Sequence, residues 1–252
     1  MAEAEVCEPA QGNRIQPRWT QMLCPGEAIE GELEMQWLEQ ALEGQATAAL
    51  WTGRPGWVAP SSYRRHVKLD EVCAASREQG WPVRMRRSGG GVVPQGSGIL
   101  NLSLAYPCRG APGEMAEPVY AHLCGLLTRA LARLDIECKV RAVQGSFCDG
   151  RFNLAVMHHG SVQKIAGAAQ YWRRASGRQA VLAHALLLVD ADPVLLSAQA
   201  NRFEAALDSG RQYDASAMTS VARCWLAAHP GAPLPDNLFS SVTRHIAASL
   251  LP

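Results

Sequence analysis

The chain of 252 residues is short of lysine, of excess charge, of paired cysteines and of long apolar runs. Lysine occurs only at Lys68, Lys139 and Lys164, so arginine carries nearly all the positive charge. The formal net charge is +1, which removes any case for bulk binding of nucleic acid or of an acidic membrane surface. Basic residues cluster at Arg84, Arg86 and Arg87, and at Arg173 with Arg174. No run approaches the roughly 18 apolar residues of a membrane span, and the N-terminus has no charged-then-apolar leader pattern. These absences predict a cytoplasmic chain with no membrane and no nucleic acid among its partners. None of the eight cysteines forms a C-x-x-C pair, which predicts free thiols and no metal site. There is no internal repeat and no low-complexity tract.

What is present is an ordinary globular composition, 48% hydrophobic and 19% charged. Residues 1–30 are polar, contain Pro and Gly, and read as an N-terminal extension; residues 31–252 read as one catalytic domain. Periodicity predicts a helix over 31–44, with Trp37, Leu38, Ala41 and Leu42 inward and Gly44 as its stop. Strands follow at 47–51 and 57–60. A helix over 67–80 has Leu69, Val72, Cys73 and Ala75 as core positions. Strands are read at 81–87, 99–106, 137–143 and 152–157, and the longest helix at 116–135. Residues 162–174 and 179–190 read as a strand pair joined by a Ser-Gly-Arg turn. Helical signal occupies 192–199, 201–209, 216–228 and 236–250. Strands in runs, with helices between and after them, indicate α+β rather than regular βαβ alternation.

Three stretches are candidates for chemistry. "RRSGGG" joins Arg86, Arg87 and Ser88 to Gly89, Gly90 and Gly91. Three glycines in a row permit close backbone approach, and the arginines add fixed charge suited to an acyl carbonyl or a phosphate. A flexible hairpin tip is the plainer reading, and no G-K-[ST] ending makes it a P-loop. In "QKIAGAAQ", Lys164 stands beside Ala166, Gly167 and Ala168, either at the mouth of a narrow slot or as an exposed lysine guarding a sheet edge. In "GSFCDGRFNLAV", Cys148 sits in a turn just before a strand, as an idle thiol or as a nucleophile activated by nearby positive charge. If the strands flanking it pair, Lys164 comes beside it. His184 lies mid-strand, where histidine is usually structural, and His158–His159 reads as a turn.

In this order and spacing the three stretches resemble the lipoate/biotin protein ligase catalytic domain family. Arg86 to Gly91 is similar to its R-R-x-G-G-G loop, and Gly150-Arg151-Phe152-Asn153-Leu154 to its G-R-x-D-[IL] strand. Lys164 to Gln170 is similar to its K-[IV]-[AS]-G-[ST]-A-[QY] strand, whose lysine is the family's essential residue. The stretch around His184 resembles the following strand, and Thr219-Ser220-Val221 a later short motif. The resemblance spans roughly residues 45–225. It implies an α+β fold, a mixed sheet flanked by helices as in class II aminoacyl-tRNA synthetases. It also implies an octanoyl or lipoyl substrate whose tail enters an apolar slot. The implied acceptor is a lysine on a small lipoyl domain, as in 2-oxoacid dehydrogenase subunits or the glycine-cleavage H protein.

The family divides by chemistry. Ligases use ATP and Mg to form an acyl-adenylate, whereas acyltransferases pass the group through a cysteine and need no cofactor. "GSFCDGR" and "GSGILNLSLAYP" resemble the octanoyl amidotransferase branch. Pro94 and Gln95 stand where the ligase pattern has an aromatic residue and histidine, and the stretch after Ser220 is shorter than the about 50 residues of a small domain. Asn153 and Ala168 depart from the usual Asp and Ser/Thr, which keeps a non-catalytic lipoate- or lipoyl-domain-binding protein among the alternatives. The resemblance therefore implies Cys148 as nucleophile, Lys164 as its activating partner and an acyl donor protein. Arg86, Arg87, Ser88, Gly89, Gly90, Gly91, Gly150, Asn153, Ala166, Gly167, Ala168 and His184 are the expected substrate-binding positions.

Overall fold

A computed structural model describes residues 17–24, 32–158 and 160–251. Most of the expected N-terminal extension, and His159 of the expected His158–His159 turn, lie outside the described residues. The elements begin with β1 (Gln21–Leu23), α1 (Leu33–Leu42), β2 (Thr47–Trp51), β3 (Gly56–Pro60) and α2 (Leu69–Glu78). They continue with β4 (Val83–Arg86), β5 (Val93–Gln95), β6 (Ile99–Pro107), α3 (Pro112–Ala132), β7 (Lys139–Val140) and β8 (Leu154–His158). The chain closes with β9 (Ser161–Ala175), β10 (Arg178–Leu188), α4 (Pro193–Ala206), α5 (Val221–Ala228) and α6 (Leu238–Leu250).

Seven strands form one sheet in the order β1-β2-β6-β10-β9-β8-β7, with β1–β2 parallel and the other pairs antiparallel. A second sheet, β4-β3-β5, pairs β3 with β4 in parallel and with β5 antiparallel. Both sheets are mixed and carry helices, the α+β class expected. The alternation of β6 explains the layers. Leu100, Leu102, Leu104 and Tyr106 join the α3 and α6 side chains in the largest core, whereas Ala105 joins Trp37, Leu38 and Ala41 of α1 in another. Asn101 and Ser103, polar yet buried, alternate with those leucines. The second sheet packs with α2 and α4 around Trp57, Tyr63 and Phe203.

The β9–β10 hairpin closes through Ser176 (φ 50) and Gly177 (φ 74), two left-handed residues that match a tight type I′ turn. Ladder pairing puts β9 between β8 and β10, so Lys164 is a buried interior-strand residue, 6% exposed, and not an edge lysine. Between Leu154 and Ala155 of β8, β9 advances two residues, a bulge at Ile165.

Several boundaries differ from expectation. The strand expected over 137–143 pairs only at Lys139–Val140, because the chain leaves the ladder into the long loop that carries Cys148. Helices expected at 192–199 and 201–209 are one helix, α4, started by the Asp192 side chain accepting from Val194 N and by Pro193. The helix expected from 216 begins only at Val221: Ala215–Ala217 make a 3-10 turn, Thr219 N donates to Lys164 O, and Ser220 caps α5. The long helix starts at Pro112, four residues before expectation, and tolerates Pro118 near its N-terminal end. In α2, Ser76 is buried and Ala75 is exposed, the reverse of the core position expected. The Ser76 hydroxyl donates to Trp81 O at 2.5 Å, which satisfies the buried oxygen. His158 ends strand β8 rather than opening a turn.

Candidate active site

A cavity of about 590 Å³ lies between the two sheets, lined by the glycine loop, the Cys148 turn, β9 and β10. The thiol end is made by two loops that meet at the Cys148 sulfur. Gly91 N donates to Sγ at 3.0 Å, and Arg86 Nη2 reaches it at 3.5 Å. Arg86 ends β4 and turns inward, donating to Val58 O (2.7 Å), Gly89 O (2.9 Å) and Gly91 O (2.7 Å). One guanidinium thus ties the glycine loop to β3 and to the thiol.

The glycines at the contact have little freedom to change. A Cβ on Gly90, whose φ is 106°, would lie 2.5 Å from Cys148 Sγ. A Cβ on Gly91 would lie 2.6 Å from Tyr213 Oη. Tyr213 also packs against Phe147 with ring centroids 4.8 Å apart, so it backs both loops at once. Its hydroxyl and that of Tyr63 donate to Glu204 Oε1 at 2.8 and 2.5 Å, and Glu204 is fully buried. Burial, with the nearby Glu204 carboxylate, raises the Tyr213 hydroxyl well above its ordinary pKa.

Cys148 itself is left-handed, with φ 50, a conformation that disfavours a side chain by about 1–3 kcal/mol. Three hydrogen bonds to consecutive carbonyls hold it there. Lys164 Nζ donates to Phe147 O and, at 2.9 Å, to Cys148 O; Asn153 Nδ2 donates to Cys148 O at 2.9 Å. The Asn153 departure from the family pattern has a use here, since an ionised aspartate has no hydrogen to give that carbonyl. The Lys164 ammonium is thus aimed at the turn's backbone, while the sulfur is met by Gly91 and Arg86. Burial pushes Lys164 down to about 8; the facing Cys148 and Asp149 charges oppose that shift and Arg86 adds to it. The bulge at Ile165 turns Gly167 toward Lys164, and a Cβ there would be 2.9 Å from Nζ.

The far end of the cavity lies five residues along β9, where Ala169 pairs with His184. At the strand rise this is on the order of 15 Å from Lys164. His184 Nδ1 and Ser103 Oγ both meet Glu34 Oε1, at 3.0 and 2.6 Å, and Trp51 Nε1 donates to Ser103 Oγ at 2.9 Å. Burial raises the Glu34 carboxyl, but His184, Ser103 and the Arg86 charge outweigh it and hold the group below its ordinary value.

Of the expected site residues, Arg86, Gly90, Gly91, Cys148, Asn153, Lys164 and Gly167 converge at the thiol. Ser88 and Ala168 line the cavity; the Ser88 hydroxyl oxygen is buried without a protein partner. Gly89 is exposed with open space around it, and Gly150 likewise. Arg87 turns to the rim, its guanidinium 6.0 Å above the Tyr171 ring. Ala166 packs in the largest core and also lines the cavity. Glu34, Trp51, Tyr213 and Glu204 were not expected; the signal that points to a second wall is polar Asn101 and Ser103 within an otherwise apolar strand. At the ligase histidine position, the Gln95 amide is paired reciprocally with Asn101, at 2.9 and 2.8 Å.

Residues 35–225 match the lipoyl protein ligase A/B catalytic domain family. An uncharacterised protein of Cupriavidus necator is 49% identical over 202 residues, 77% of this chain and 80% of that one. The octanoyl-(GcvH):protein N-octanoyltransferase of Kyrpidia tusciae is 36% identical over 189 residues, 72% of this chain, and the match spans 63% of that enzyme's length. Among solved structures, a lipoate-protein ligase A bound with ATP has the same fold, with a TM-score of 0.61 at 16% identity, over 92% of this chain and 86% of that one.

Proposed function

The chain belongs to the lipoyl protein ligase A/B catalytic domain family, and from that premise we propose that it moves an octanoyl or lipoyl group between carrier proteins through a Cys148 thioester. The acceptor is a lysine of a lipoyl domain, such as that of a 2-oxoacid dehydrogenase subunit or the glycine-cleavage H protein. The observation that supports this reading is the thiol itself: it lies against the glycine loop, 3.0 Å from Gly91 N, in a cavity that an acyl chain fits.

The Cys148 thiolate attacks the acyl carbonyl on the donor, forming a C–S bond as the bond to the donor breaks. The donor leaves as an amine or thiol after taking a proton. Lys164, pushed down to about 8, exchanges a proton close to neutral pH and sits beside that turn. The acceptor amine then attacks the thioester, forming the amide, releasing the thiolate and losing a proton. Two carriers use one site in turn, and the acyl group's bond energy is conserved without ATP. Gly91 offers its backbone N–H at the sulfur, where the carbonyl oxygen gathers charge during both attacks.

Intact-protein mass spectrometry after incubation with an octanoylated carrier tests the reading. The wild type is expected to gain an octanoyl mass and Cys148→Ala to gain none. An equal gain in both, or no gain in the wild type, rejects it. The ligase reading is supported by the shared fold with an ATP-bound ligase; it predicts that Cys148→Ala lipoylates an acceptor when given lipoate with ATP and Mg.

A further inference from the structure

We infer that Arg86, together with the N–H of Gly91, is the group that holds the Cys148 sulfur as a thiolate. Three observations carry this. The donors at the sulfur are Gly91 N at 3.0 Å and Arg86 Nη2 at 3.5 Å, and Gly91 O, itself bonded by Arg86, lies 3.5 Å away. The nearby ammonium of Lys164 is spent on the carbonyls of Phe147 and Cys148. A guanidinium keeps its charge at every physiological pH, whereas the buried Lys164 loses its proton from about 8. A thiolate that depended on Lys164 would lose its counter-charge as the pH rose; one held by Arg86 does not.

The arrangement also follows the charge during attack. When the sulfur lone pair forms the C–S bond, the negative charge passes to the acyl carbonyl oxygen. Gly91 N and Arg86, already at the sulfur, are then adjacent to the new anion. Arg86 is placed for this by its bonds to Val58 O of β3 and to Gly89 O and Gly91 O, so the cation is anchored to a sheet as well as to the loop it serves.

The inference rests on the transferase reading for its purpose, but its test needs no acyl donor, so the two fail separately. The full chain is alkylated with iodoacetamide at pH 7, and each cysteine is followed by peptide mass spectrometry. In the wild type, half-buried Cys148 is expected to react faster than exposed Cys24. Arg86→Met is expected to slow Cys148 about tenfold, the scale on which one neighbouring cation shifts a thiolate population. Arg86→Lys, which restores a charge, should recover most of that loss. Buried Cys124 reports folding in the same digest, because it stays unmodified while the core is intact. The inference is overturned if wild-type Cys148 reacts no faster than Cys24, or if folded Arg86→Met reacts at the wild-type rate. Should Arg86→Met expose Cys124, the wild-type comparison and Arg86→Lys decide the matter: a lysine variant as slow as a lone thiol also overturns it.

Discussion

The two ends of the cavity are built from different materials. At the thiol end, backbone groups act: the Gly91 N–H, the carbonyls of Phe147 and Cys148, and left-handed conformations at Gly90 and Cys148. At the far end, side chains on regular elements act: Glu34 on α1, Trp51 on β2, Ser103 on β6 and His184 on β10. A backbone device accepts almost no substitution, because a single added carbon collides. A side-chain device keeps its frame when one member changes. The thiol end should therefore govern the rate of chemistry, and the far end the fit of the acyl tail.

The largest expected effect is on stability at the thiol end. Folded Lys164 loses its proton from about 8, while in the unfolded chain it keeps it to the ordinary 10.5. Between those values the unfolded state binds more protons, so this residue's contribution to stability rises with pH; below about 8 the penalty for burying the charge is present in full. Urea unfolding of wild type and Lys164→Met at pH 7.5 and 10.5 should show the wild type gaining about 3 kcal/mol on the variant. A constant difference would mean the ammonium is not held as described. Next is Gly90→Ala, which drives a methyl into the Cys148 sulfur and should lower kcat about a hundredfold. Glu34→Gln, at the far end, should raise KM about tenfold and leave kcat nearly unchanged, the pattern of lost uniform binding. A fall in kcat there would erase the distinction between the ends. The smallest effect belongs to Gly89→Ala, with open space around its Cβ: steady-state rates should stay within about twofold.

The sequence was most legible where periodicity and turn chemistry agree. The β9–β10 hairpin, the α1 face of Trp37, Leu38, Ala41 and Leu42, and strand β6 were all read correctly. The edge-lysine alternative for Lys164 could not be dismissed on local grounds, because strand order depends on distant pairing, here with β8 on one side and β10 on the other. The family resemblance pointed to the glycine loop, the Cys148 turn and the lysine strand together, but not to the atoms each one meets. Glu34 and Glu204 were invisible, since a carboxylate on a helix reads as a solvated face until its partners are known. Those partners, Ser103, His184, Tyr63 and Tyr213, come from other parts of the chain.

The extra residue in β9 has an arithmetic of its own. In a regular strand, positions 164 and 167 would face opposite ways; the bulge at Ile165 makes them neighbours. Deleting Ile165 would remove the bulge and restore an unbroken ladder, with the lysine and the glycine then two apart and still on one face. Inserting one residue there would instead put the lysine and the glycine on opposite faces. The lysine and its glycine thus stay together only while the number of ladder positions between them, the bulge residue not counted, keeps its parity.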